Sequence, residues 1–450
     1  METSAPAPGG WEGELERWLA PFLAALGREA QRRWASVHLK GLLLPGERKS
    51  VAPLAARVAP GSAEQLHHLI GGSPWPTEPL EAALAKEADR LVGGPEAVLV
   101  VDDTALPKQG RHSVGVARQY CGCLGKRANC QILVSLTLAK SEVPMPVGLR
   151  LFLPEAWTAD PERCARAGVP EAHRRRAPAK AEIALAEVDR LVAAGVRFGR
   201  VVTDAGYGTS AAFRCGLSTR GLLWAAGVPR TQNVYPPTVE LHWPVARTGR
   251  PRKHPVPSER PVPAEAVLAG AAWRRISWRR GTKGPLAAEF AAVRVRPAEG
   301  EQLRNGRHLP GEEVWPVGEH RASGERKYHL SDLPPDTPLE ELAALIKARW
   351  ACEQAHQQLK EELGLDRFEG RSWRGLHHHA LLGRLAFAFL QHLRLRERGK
   401  KRRRATRTAT SADAARGAAA HPGRAHPGPA ALPALPAALR PPPPALNVPE

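Results

Sequence analysis

VLVVDDT, residues 98–104, and RVVTDAGYG, residues 200–208, each run a block of apolar residues directly into carboxylates. Short apolar runs bounded by polar residues read as buried strands, here Ala97 to Val101 and Arg200 to Thr203. Asp103 and Asp204 then stand at two strand ends. A third acid, Glu353, lies inside IKARWACEQAHQQLKEELGL, residues 346–365, in mid-helix by its apolar spacing. Strand ends and one helix face can converge, so the three acids are spaced as metal ligands of a phosphoryl-transfer enzyme would be.

Working outward, Gln131 to Ala139 alternates as a strand and Val147 to Leu153 reads as another. A helix from about Ala179 to Ala194 ends at Gly195, a short helix covers Ser210 to Leu217, and Leu222 to Ala226 closes the order βββαβαβ. This implies an α/β layer fold with a mixed sheet. If the strands that lead into Asp103 and Asp204 are neighbours, both acids meet at one sheet edge, where such sheets commonly place their sites.

Residues 1–95 are expected to form a helical N-terminal domain, with Trp18, Phe22, Leu23 and Leu26 on one face and a second apolar group at Leu66, Leu69 and Ile70. Its basic residues suit either a DNA-binding module or a solvated face. Residues 96–226 form the first part of the core, and 227–335 lose the helical signal for short β-like stretches, as in a β-rich insertion. Thr337, Pro338 and Glu340 then read as N-cap, N1 and N3 of a helix running to about Leu363 and stopped by Gly364, within a C-terminal helical segment 336–397. A further helix spans about His378 to Leu395. From Arg398 the composition turns to basic and then Ala/Pro-rich repeats that bury no core, so 398–450 reads as a disordered tail.

The 450 residues hold 65 Lys plus Arg against 45 Asp plus Glu, a formal charge of +20, which suits a polyanionic partner. At 43% hydrophobic residues the chain has material for real cores, so a wholly disordered basic protein is excluded. Six cysteines form no framework of paired spacings, and a reducing, cytoplasmic setting is expected. No run of about 18 apolar residues signals a membrane span.

On the Glu353 helix, Arg349, Glu353, Gln357 and Lys360 fall within an arc of about 100°. Ordinary surface pairing would explain that face alone; the two strand-end acids and the basic chain favour chemistry. Mg²⁺, with Mn²⁺ as its substitute, takes carboxylate oxygens. Two such ions about 4 Å apart would serve in-line displacement, with Arg349 and Lys360 holding flanking phosphates.

With these motifs assembled, the chain resembles the DDE transposases of bacterial insertion sequences, in the cut-and-paste branch with a β-rich insertion between the second Asp and the Glu. The resemblance runs from about Gly41 to Arg394 and rests on GLLLPGERKS, VVDDTALPKQGRHSVGVARQYCGCLGKRANCQ, VVTDAGYG, KYHLSDLP and RWACEQAHQQLKEELGLDRFEGRSWRGLHHH. It implies a ribonuclease-H-like core with Asp103, Asp204 and Glu353 as the catalytic, metal-holding triad. Asp102 competes for the first place; Asp103 is preferred because the family's Asp directly precedes Thr, here Thr104, and alternation puts Asp102 on the opposite face. Of the family's Tyr, Arg, Glu, Lys signature, Arg349, Glu353 and Lys360 match and Ile346 replaces the Tyr.

The resemblance also implies double-stranded DNA partners, namely terminal inverted repeats and target DNA, a homodimer in a synaptic complex, and a nucleoid-associated bacterial protein. A decayed or domesticated DNA binder and a stand-alone nuclease are the other readings. Lys108, Arg111 and Arg118 are either phosphate contacts or surface charge. Arg250, in RTGRPRKH, would enter a minor groove or belong to a solvated loop. Trp273, Trp278 and Trp315 would stack on an unpaired base or pack the insertion. The group Cys121, Cys123 and Cys130 and the run His377 to His379 lack the paired spacing of zinc sites.

Overall fold

In a computed structural model the chain is described over residues 10–46, 48–243, 254–281, 284–302 and 308–413, with side chains only to Lys401 beyond 400. Arg250 and the stretch 414–450 lie outside these residues. The apolar run at 98–101 opens a longer strand than its composition suggests: β1 spans Val98–Pro107. It continues through both aspartates because Gln131 to Ala139 pairs with it residue for residue, Asp102 opposite Ser135 and Asp103 opposite Val134. A paired backbone satisfies its hydrogen bonds whatever the side chains.

Four further strands follow the order expected, namely β3 Lys126–Lys140, β4 Val143–Phe152, β5 Arg200–Thr203 and β6 Leu223–Val228, with one more, β2 Ala117–Cys121, ahead of β3. The strands β7 Arg274–Gly281, β8 Gly284–Ala292, β9 Trp315–His320 and β10 Arg326–Ser331 come from the segment read as an insertion. They do not stand apart. The large sheet runs β7-β8-β9-β10-β6-β5-β1-β3-β2, with β4 on β3, so the insertion extends the core sheet from the edge of β6. β5 lies parallel to both β1 and β6, which makes the two acid-bearing strands neighbours. Short strands at 233–235, 262–263, 296–302 and 308–310 form a separate four-stranded sheet.

The N-terminal segment contains α1 Trp11–Leu23, α2 Glu29–Leu43, α3 Val51–Val58, α4 Ala63–His67 and α5 Glu78–Val92. Its apolar residues share one core with the sheet and with the long C-terminal helix. Glu81 of α5 is clamped by Arg150 of β4 and, at 2.7 Å, by Arg384; Arg150 also reaches Glu187 at 2.8 Å. Glu187 belongs to α6 Lys180–Ala193, which with α7 Ala211–Ser218 completes the middle of the chain.

Two expectations at the C-terminal end are corrected. The helix expected from 337 to 363 is two helices, α8 Leu339–Lys347 and α9 Trp350–Glu361, with Pro338 at the N-cap in place of Thr337. The break has a packing cause. α8 lies on β6 to β8 while α9 lies on β1, β3 and β4, and one straight helix cannot follow both surfaces of a twisted sheet. The last helix, α10, runs Trp373–Asp413, so the backbone stays helical well past Arg398.

Candidate active site

Strand alternation and register decide what meets here. Val98, Val100, Val202, Ala225 and Val317 pack with Leu342, Leu345, Ile346 and Cys352, so their face of the sheet carries α8 and α9. By alternation Asp102 and Asp204 point to that face and Asp103 points to the other. Val101 pairs with Thr203 across the parallel strands, and continuing that register by one residue sets Asp102 beside Asp204. α9 confirms the face: Cys352 reaches Thr137 at 3.3 Å and His356 reaches Ser135 at 2.7 Å.

Breaking the helix at Ala348 and Arg349 puts Glu353 in the first turn of α9 instead of mid-helix. Arg349, at the N-cap, forks to Asp102 and Glu353, each at 2.5 Å. A fork to two carboxylates is geometry that guanidinium provides and ammonium does not. Burial opposes the charge of Arg349, yet Asp102, Glu353 and Asp204 together raise its pKa. Asp102 is pushed up to about 6, by burial first, against the pull of Arg349 and with Asp204 and Asp103 repelling a further negative charge.

Asp103 occupies the opposite face, where Lys180 bonds its Oδ2 and the Tyr207 hydroxyl donates to its Oδ1, both at 2.5 Å. The Tyr207 phenol is raised well above its usual range, by burial and then by Asp103. Asp103 is therefore turned away from the Glu353 helix, and the acid that faces it is Asp102. Asp204 caps the short turn after β5, its carboxylate accepting from the backbone N–H groups of Gly206 and Tyr207.

The other residues singled out by sequence scatter. The Lys108 ammonium donates to the carbonyls of Asp366 and Phe368, at 3.1 and 2.8 Å. Arg111 is exposed on the loop after β1, and Lys360 is half-buried near the Cys123 thiol. Trp273 stacks on His320 at 3.7 Å, Trp278 meets Phe290 edge-on, and Trp315 bonds the carbonyl of Pro334. His377, His378 and His379 each bond backbone carbonyls. Cys121 and Cys123 approach to 3.3 Å as free thiols.

Two clefts flank Arg349. One, of about 940 Å³, is lined by Glu353, Trp278, Arg279, Arg321, Lys347 and others; the second, of about 630 Å³, is lined by Asp204, Gly227, Arg230 and Arg326 among others. Sequence reasoning missed Lys180 and Tyr207, which hold Asp103, and Lys327 and His329, which line both clefts. The last two stand in KYHLSDLP, a motif already singled out without a role.

Among the described residues no three His, Cys, Asp or Glu side chains are gathered closely enough to hold a metal ion. The donor set still fits a hard divalent cation: Asp102, Asp204 and Glu353 offer only carboxylate oxygens, and Asp102 and Glu353 already share one cationic group. Among the described residues no helix is long and apolar enough to cross a membrane.

A probable transposase for insertion sequence element IS701 from Microchaete diplosiphon is 29% identical over 164 residues, 36% of this chain and 40% of that protein, so the chain matches less than half the length of this relative. A cryo-EM structure of a piggyBac transposase synaptic complex with hairpin DNA aligns over 81% of this chain and 66% of its own, at a TM-score of 0.40 and 10% identity. The model of the family described as DDE superfamily endonuclease matches residues 21–285, more than half of the chain and both acid-bearing strands. The chain belongs to the DDE superfamily endonucleases.

Proposed function

We propose that this protein is a DNA transposase that cuts the ends of its insertion sequence and joins the freed 3′-hydroxyls to target DNA. The observation that carries the reading is the in-register pair Asp102 and Asp204 on the sheet face that bears Arg349 and Glu353. Asp102, Asp204 and Glu353 are the ligand set, with Asp102 in the place that sequence assigned to Asp103. These carboxylates would hold two Mg²⁺ ions, or Mn²⁺ in their stead, which when bound would supply Lewis-acid stabilisation and a nucleophile at neutral pH.

The chain's own groups do the rest. Arg349 offsets the carboxylate charge and can turn a guanidinium N–H toward a phosphate oxygen. The cationic linings of the two clefts, Arg279, Lys347, Arg230 and Arg326 among them, guide the DNA backbone. Asp103 fixes Lys180 and Tyr207 beneath the strand and so holds β1 in place. Terminal repeats as the double-stranded partner, a homodimeric synaptic complex and a ribonuclease-H-like ancestry of the sheet belong to the same proposal, as does a nucleoid location.

The test is cleavage of a plasmid carrying the gene with its native flanks, in Mg²⁺ or EDTA, by wild type and Glu353→Gln. Metal-dependent cuts at the element's ends, lost in the variant, are expected. Equal cutting by both proteins would overturn the assignment, and binding without any cutting would instead support a decayed or domesticated DNA binder.

A further inference from the structure

The register that aligns Asp102 with Asp204 continues across the sheet. Thr203 pairs with Ala226, so Asp204 stands beside Gly227, and Gly227 pairs with His329 of β10. Asp102, Asp204, Gly227 and His329 thus form one row on the α8–α9 face. The position between Asp204 and His329 carries no side chain. A Cβ on Gly227 would come within 2.7 Å of the Ala205 nitrogen, so the row requires glycine there.

His329 is unlike the other shielded histidines. Both of its ring nitrogens are closed off from solvent and neither has a hydrogen-bond partner. His356, His377, His378 and His379 each make a bond. His38 is also without one, but it is buried on α2 near His379 and borders neither cleft. His329 lines both, and so do Lys327 and Arg349. These three side chains are the wall where the Asp204 cleft and the Glu353 cleft meet. The ring is neutral: burial, opposed by Glu319 and aided by Lys347, Arg349 and Lys327, holds its pKa at about 3. A neutral imidazole keeps one N–H to donate and one nitrogen to accept. Leaving both unmade in a closed site is costly unless a ligand completes them.

We propose that His329, with Lys327 and Arg349, forms a seat for one phosphodiester group of the bound strand, the imidazole N–H donating to a non-bridging oxygen between Asp204 and Glu353. This rests on the DNA reading above and adds a substrate-contacting residue to it. The cations supply charge, and the imidazole supplies direction without repelling them.

The test is equilibrium binding in EDTA of a duplex taken from the boundary of the protein's own insertion, with a single neutral methylphosphonate moved along the strand. Wild type is expected to lose about tenfold in affinity at one position. His329→Ala should bind the unmodified duplex about tenfold more weakly and lose nothing further at that position, while keeping the penalties elsewhere. His329→Gln, which still donates a hydrogen bond, should recover part of the loss, and it carries the test if the alanine variant melts early. An unchanged penalty at every position in His329→Ala, with penalties present in wild type, overturns the seat and leaves the DNA reading intact. A wild type that shows no penalised phosphate overturns both.

Discussion

Arg150 and Arg349 each fork to two carboxylates, and the contrast between them separates a scaffold from a site. Arg150 joins Glu81 and Glu187 where α5, α6 and β4 meet, and Arg384 and Arg190 add further positive charge. Burial is outweighed there, and Glu81 is held well below the usual carboxylate range by Arg384 and Arg150. Arg349 joins Asp102 and Glu353, but Asp204 is close by, and Asp102 is pushed up to about 6. The first cluster is closed, with Glu81 only 4% exposed; the second is open, with Glu353 52% exposed. A satisfied network holds helices to a sheet, whereas an excess of carboxylate beside a cleft has unused affinity for a cation.

That contrast can be broken most directly at the site. Asp204→Asn and Glu353→Gln should each lower strand cleavage by at least about 10³-fold, roughly 4 kcal/mol of transition-state stabilisation, with unchanged unfolding midpoints. Asp102→Asn should fall in the same class and Asp103→Asn should lose much less. Single-turnover cleavage of a plasmid substrate ranks the four, and the reverse order of the two adjacent aspartates would refute the placement derived from register.

The scaffold cluster should answer in stability instead. Glu81→Gln leaves Arg384 buried without its partner and should cost about 3–5 kcal/mol, read from urea denaturation. The two clusters should also differ in the sign of their pH dependence. Glu81, with a lowered folded pKa, contributes stability that is present above its unfolded value of about 4.3 and is lost as pH falls below it. Asp102, with a raised folded pKa, works the other way: folding is favoured while it is protonated, and the advantage is lost as pH rises from about 4 to about 6. Asp102→Asn should remove a stability decrease of about 1–3 kcal/mol between those pH values, and an unchanged pH profile in that variant would argue against the burial of Asp102 beside other carboxylates. The smallest effect is expected from Arg349→Lys, which keeps the charge and loses the fork. Folding should change by less than about 1 kcal/mol, and cleavage should fall by about tenfold.

How far the site was legible from residues depends on how local each signal is. β5 is placed residue for residue by its short apolar run, and the helical N-terminal segment by its 3.6-residue spacing. The break between α8 and α9 was hidden because nothing in IKARWACE forbids helix; it is imposed by two packing surfaces far away in sequence. The merger of the strands from 227–335 with the core sheet depends on β10 pairing with β6, about 100 residues earlier. The partners of Lys108, two carbonyls near residue 367, are invisible to composition.

By itself the chain marked the segments that carry the two aspartates: short apolar runs that lead into Asp read as buried strands. It could not determine which of two adjacent aspartates faces the helix. Val98 to Val101 are apolar on both faces, so no alternation marks an inside and an outside. Only the tertiary structure decided that, because facing is a matter of register between strands about 100 residues apart and of the one face on which α9 comes to rest.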